Sequence, residues 1–114
     1  MTLKQMKSFT VDGMLLEVGQ TAEENETLVF SRSAPKDLWF HLEHFPSPHG
    51  VLHCKDAEVH TDVLVRCAEI VKSRSKHKAA ARVSVSILEV QYLRRDPSKT
   101  GSVTLLRQPR ALVV

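Results

Sequence analysis

The chain has 114 residues, 42% of them hydrophobic, which suits one compact domain that needs neither a metal nor a disulfide to hold it. No apolar run approaches the ~18 residues of a membrane span, and the opening "MTLKQMKSFT" lacks the apolar stretch of a signal peptide, so the expected setting is cytoplasmic, with the nucleus open as well. The net charge of +3 hides a split: residues 1–60 carry five Lys/Arg against nine Asp/Glu, and residues 61–114 carry eleven against four. A basic face built by the second half would attract phosphate polymers, although ordinary surface solubility also fits such a balance.

In chain order, "SFTVDGMLLEV" places two short apolar runs around Asp12-Gly13, a tight hairpin signal. Gly19 precedes "TAEENETLVFSRS", where Thr21 and Glu24 form a capping box for a helix. Ala22, Leu28 and Val29 share its apolar stripe with Asn25. An inward polar side chain of this kind either bonds nearby backbone or serves a site. Pro35 ends the helix, and "DLWFHL" is a strand. Alternation puts Asp37, Trp39 and His41 on one face and Leu38, Phe40 and Leu42 on the other, the core face. "EHFPSPH" is a turn, and "GVLHC" a second strand on which His49, Val51 and His53 share a face.

"TDVLVRCAEIVKSRSK" is the clearest helix, capped by Thr61 or Asp62, with Val63, Leu64, Cys67, Ile70 and Val71 as its buried stripe. Its end, "KSRSKHK", gathers more cations than the helix dipole needs. "ARVSVSILEVQYLRR" reads as one long strand whose apolar parity changes between Val83, Val85, Ile87 and Leu88, Val90, Tyr92. A bulge near residues 87–89 would reconcile the two. "SVTLL" and "ALVV" form a closing hairpin around "RQPR". Cys54 and Cys67 sit in apolar contexts without CxxC spacing and read as reduced, buried hydrophobes. The fold class is α+β: a mostly antiparallel sheet covered by two helices in a single domain, residues 1–114.

Enzyme chemistry finds little support. Asp37, His41, His49 and His53 could make a metal site, but six histidines in the chain form clusters by chance and no HExxH is present. No GxSxG marks a nucleophile, and with Gly19 and Gly101 standing alone among four glycines no Gly-rich phosphate loop supports a nucleotide-hydrolysing enzyme. No catalytic residue, metal or cofactor is expected. Binding fits better. Lys72, Arg74, Lys76, Lys78 and Arg82 cluster, and Arg94, Arg95 and Lys99 flank Tyr92. Trp39, His41 and His49 offer flat rings and donors beside them. Cations that track a backbone next to aromatic platforms are the ingredients of RNA binding. Trp39 fits a core position equally well.

The ordered set of motifs resembles the RNA-binding module NFACT-R. This module belongs to large ribosome quality-control proteins and to bacterial proteins of the fibronectin-binding type, and it also occurs in small standalone eukaryotic proteins. "VGQTAEENETL" resembles its glycine–helix segment, with Gly19 and Asn25 in place. "DLWFH" resembles its Asp-x-Trp-x-His signature, "FPSPHGVL" the turn carrying His49, and "TGSV" the glycine turn at Gly101. "ENETL" and "CAEIVKSRSK" lean to the standalone branch. Gln20, Thr21 and Pro48 depart from the pattern. The coiled-coil tail of that branch is not expected, nor are partners recruited through it.

The resemblance implies a non-catalytic domain that binds structured RNA, tRNA or ribosomal RNA, with the ribosome as a further partner. The expected pocket is one in which Asp37 orients His41 by a hydrogen bond, in which His41 and His49 present N–H groups to a phosphate or ribose, and in which Trp39 stacks on a base or braces its neighbours. Protonation of either histidine is expected to strengthen binding in mild acid. Two rival readings stand beside it: a module that docks an acidic protein partner of the translation machinery, and a metal-dependent hydrolase built on Asp37, His41 and His49.

Overall fold

Asp12 and Gly13 both adopt positive φ (51° and 78°), the conformation of a two-residue hairpin turn. They join β1 (Lys7–Val11) to β2 (Met14–Gly19) with Val11 opposite Met14. The computed structural model describes residues 6–114; the reading of the first five residues as free of a signal segment lies outside them. After β2 come α1 (Ala22–Ser31), β3 (Leu38–Leu42), β4 (His49–His53), α2 (Thr61–Ser73), β5 (Ser84–Glu89), a short 3-10 turn (Val90–Tyr92), β6 (Leu93–Arg95), β7 (Val103–Leu105) and β8 (Arg110–Val113). The main sheet runs β1-β2-β4-β3-β5-β8 and is antiparallel throughout, while β6 and β7 pair apart from it. The α+β architecture expected from the sequence is the one observed.

Each helix covers one sheet face. Leu16, Val18, Phe40, Leu42, Leu52, Val85 and Ile87 point to α2 and meet Val63, Leu64, Cys67, Ala68 and Val71. Gly50 permits the close approach, because a Cβ there would lie 2.6 Å from Val71 Cγ2. On the opposite face Trp39, Val51 and Leu88 pack under Leu28 and Val29 of α1, joined by Val90 and Leu93. Burial raises the thiol of Cys54, and that of Cys67 to about 12. Both cysteines are free and buried.

This two-sided covering explains the parity change in the fifth strand. β3 and β5 stay in unbroken register from Leu38 opposite Glu89 to Leu42 opposite Val85, so there is no bulge at 87–89. Ile87 and Leu88 are both buried because both faces are covered. The long strand is also interrupted: the 3-10 turn swings Leu93–Arg95 away to pair with β7. The expected closing hairpin does not form, since β8 pairs instead with β5. At α1 the capping box is realised, with Thr21 Oγ1 accepting from the Glu24 N–H at 3.1 Å and Glu24 Oε1 accepting from the Gln20 N–H at 2.9 Å. At α2 neither expected cap serves. His60 is the N-cap, without a side-chain bond, and Thr61 is already helical.

Candidate nucleic-acid interface

Helix α1 is short. Its Leu28 and Val29 roof one end of the sheet, and beyond Asn25 and Ala22 the face opens into a cleft of about 670 Å³. Trp39 and His41 of β3, His49 of β4 and Ser86 of β5 line it. Phe45 and Ser47 of the β3–β4 turn and Lys99, Thr100, Gly101 and Ser102 also line it. Strand alternation delivers the floor residues, because every second side chain of three neighbouring strands points the same way.

The floor is organised by hydrogen bonds. Trp39 Nε1–H donates to His49 Nδ1 at 3.0 Å. Asn25 Oδ1 accepts from the His49 N–H at 3.2 Å, so the inward Asn25 both anchors neighbouring backbone and lines the cleft. Gly19 makes room for it: a Cβ there would lie 2.4 Å from Asn25 Oδ1. His41 lies offset-parallel to Trp39, with centroids 5.6 Å apart and planes 10° from parallel. Its Nδ1–H donates to the Leu42 carbonyl at 2.6 Å. Both histidines are neutral at neutral pH. Burial, then the neighbouring His41, pushes His49 down to about 3, and burial lowers His41 against the upward pull of the Leu42 carbonyl. Gain of charge on His49 in mild acid, one of the expected enhancements, is therefore not available to it.

The lining segment at 99–102 is held by Glu26 of α1. Its Oε1 accepts from the Gly101 N–H at 3.0 Å and its Oε2 from Arg95 Nη1 at 3.0 Å. Gly101 has φ +84°, and a Cβ on it would meet Ala22 O at 2.8 Å, so glycine is needed there twice over. Asp96 folds the approach by accepting from the backbone N–H (2.9 Å) and hydroxyl (2.6 Å) of Ser98, and these bonds hold its carboxyl below the usual range.

Asp37 is not in the cleft. Along a strand, residues four apart stand roughly 13 Å from one another, and Asp37 lies at the other end of β3 from His41. It is 2% exposed. Its carboxylate accepts from the backbone N–H of Ala34 (2.9 Å) and of Lys55 (3.3 Å) and meets His53 Nδ1 at 3.0 Å. His53 Nε2 in turn lies 2.9 Å from Glu17 Oε1, and Glu17 takes a two-point contact from Arg32 at 3.1 and 2.6 Å, which raises the Arg32 pKa. The expected bond from Asp37 to His41 is replaced by a clamp across β2, β3, β4 and the end of α1. The supposed metal trio is split by the same geometry: Asp37 stands apart from His41 and His49, and no group of three or more His, Cys, Asp or Glu among the described residues is arranged to hold a metal.

The basic residues separate into tied and free. Lys72 donates to the Val114 carbonyl at 3.0 Å. Arg94 reaches the carbonyls of Gln91 and Leu93 at 3.0 and 2.8 Å. Arg95 binds Glu26 and sits 5.0 Å over the Phe30 ring. Arg107 covers a face of Tyr92 at 4.0 Å. Arg74, Lys76, Lys78, Arg82 and Lys99 are exposed. One contact joins the 74–82 segment to the cleft: the His77 ring lies 4.1 Å from that of Phe45, which is itself 41% exposed. Sequence reasoning missed this ring pair. The available signal was an aromatic stranded in a Pro-rich polar turn.

A family model for the NFACT protein RNA-binding domain matches residues 4–106. This chain belongs to that family. The domain is similar to curated proteins named Rqc2 homolog RqcH, at 26% identity over 96 residues in Bacillus subtilis (83% of this chain, 16% of the relative). In Streptococcus pneumoniae the identity is 32% over 99 residues (82% and 17%). It thus spans about a sixth of those relatives' length. Its fold superposes on the C-terminal part of the fibronectin/fibrinogen-binding protein from Streptococcus suis with a TM-score of 0.90 at 24% identity, covering all of this chain and 47% of that one. No helix among the described residues is long and apolar enough to cross a membrane.

Proposed function

We propose that the domain binds structured RNA, without catalysis, in the service of translation and ribosome quality control in the cytoplasm. The observation that carries this reading is the aromatic-floored cleft beside exposed cations, with Phe45 and His77 as the bridge between them. Rings at the floor suit an unstacked base or its sugar, and exposed lysines and arginines suit the backbone that follows. The two cleft histidines are committed to Trp39 and to the Leu42 carbonyl and are neutral, which supports positioning rather than proton transfer. Membership in an RNA-binding domain family and similarity to proteins named for Rqc2 support the partner and the process.

Phosphate contacts should fall to Arg74, Lys76, Lys78, Arg82 and Lys99 rather than to Lys72, Arg94 and Arg95, whose N–H groups are engaged within the fold. Titration of labelled tRNA and of a ribosomal RNA fragment at two salt concentrations tests the reading. Affinity should fall steeply with salt, and charge reversal at Arg74, Lys76 and Lys78 should flatten that dependence. Salt-independent binding would count against the reading, and retention of ribosomes after nuclease treatment would point instead to an acidic protein partner.

A further inference from the structure

The two cleft histidines are locked in opposite tautomers. The Trp39 indole nitrogen can only donate, so His49 Nδ1 must accept at 3.0 Å, and the proton of the neutral ring sits on Nε2. The Leu42 carbonyl can only accept, so His41 Nδ1 carries the proton and His41 Nε2 is a bare lone pair. Neither Nε2 has a partner among the described residues, and neither is a sealed, unsatisfied atom. The rings lie edge to face with centroids 4.7 Å apart, and both line the cleft. The floor therefore offers one donor beside one acceptor.

That pairing discriminates between ligand groups. A phosphodiester oxygen only accepts: it can satisfy His49 but meets a lone pair at His41. A hydroxyl both donates and accepts and satisfies both rings at once. We propose that His41 and His49 form a hydroxyl-reading pair that recognises ribose, with His41 accepting from the sugar O–H and His49 donating to its oxygen, so that the cleft selects RNA over DNA. The inference rests on the RNA-binding reading and sharpens it. The histidines read sugar, and phosphate recognition is left to the exposed cations.

The test uses the full chain and a synthetic RNA hairpin with a single-stranded 3′ overhang. It is compared with the same sequence carrying 2′-fluoro at every position, which keeps the charge and the RNA-like sugar pucker but cannot donate. A third probe is the ribo hairpin with its terminal 2′,3′-diol oxidised by periodate. The 2′-fluoro hairpin should bind about five- to twentyfold more weakly, the loss of one buried hydrogen bond, with an unchanged salt slope. The oxidised probe should share that loss if the terminal ribose is the one read, and escape it if an internal 2′-OH is. In the His41→Phe variant the fluoro penalty should vanish.

Equal binding of the ribo and fluoro hairpins overturns the inference and leaves RNA binding standing, as does a penalty that persists in His41→Phe. Failure of the ribo hairpin to bind overturns both. Should His41→Phe not fold, long-range 1H–15N spectra of the unaltered protein decide. A protonated Nε2 on His49 and a protonated Nδ1 on His41 are expected, and Nε2–H on His41 would end the proposal.

Discussion

One sheet face carries two polar clusters built from similar residues, and they do different things. At one end Asp37, His53, Glu17 and Arg32 link carboxylate to ring to carboxylate to guanidinium across β2, β3, β4 and α1. At the other end Trp39, His41, His49 and Asn25 link only neutral groups, and the two cleft-lining histidines each keep an Nε2 without a partner among the described residues. The charged cluster is closed on itself, and the neutral one is left incomplete. A polar constellation whose bonds are all made within the protein holds elements together, whereas one with open valences is ready for a ligand. The Asp-x-Trp-x-His motif spans both, with its aspartate serving the clamp and its tryptophan and histidine serving the cleft.

The comparison breaks most visibly if the clamp is opened. Asp37→Ala strands His53 and two backbone N–H groups, and should cost about 3 kcal/mol of stability in chemical denaturation, while the RNA affinity of the protein that remains folded changes less than twofold. An Asp37→Ala protein as stable as the parent but unable to bind RNA would erase the distinction.

Acid separates the ends next. His49 folds with a pKa near 3 against an ordinary 6.5, so the unfolded chain binds its proton first. The stability from this ring is complete above pH ~6.5 and is lost as pH falls from there toward 3, about 3 kcal/mol by pH 4. Melting curves across this window should be flatter for His49→Phe than for the parent. Identical slopes would contradict the buried neutral ring.

A smaller effect, about 1–2 kcal/mol, is expected for Trp39→Phe, which keeps the aromatic packing but leaves His49 Nδ1 without its donor. RNA affinity should fall along with stability here, unlike at Asp37. Charge reversal at Arg74, Lys76 and Lys78 should leave stability within about 0.5 kcal/mol and change only binding and its salt dependence.

Much of this was legible in local pattern. The Asp12-Gly13 turn, the Thr21–Glu24 cap, the α2 stripe and the alternation of 37–42 all rest on neighbours a few residues apart, where sequence carries the signal. What failed depends on distant partners. Nothing near Asp37 reveals that His53, sixteen residues on, will take its carboxylate. Two-sided burial of β5 imitates a bulge because both parities are apolar. The closing segments resemble a hairpin until β5 and β6 claim them separately. The Phe45–His77 contact joins a turn to a segment some thirty residues away. Within the cleft, the rings of Trp39, His41 and His49 stand out in the sequence and Ser86 does not, and the tautomers follow only from which atoms meet.

Trp39 is the single tryptophan of the chain, so its indole N–H gives one unambiguous signal. Titration of isotope-labelled protein with tRNA should shift that signal and the ring signals of His41 and His49, while those of His53 stay in place. Movement at His53 with Trp39, His41 and His49 unchanged would contradict the account, because it would put the ligand at the closed end of the face.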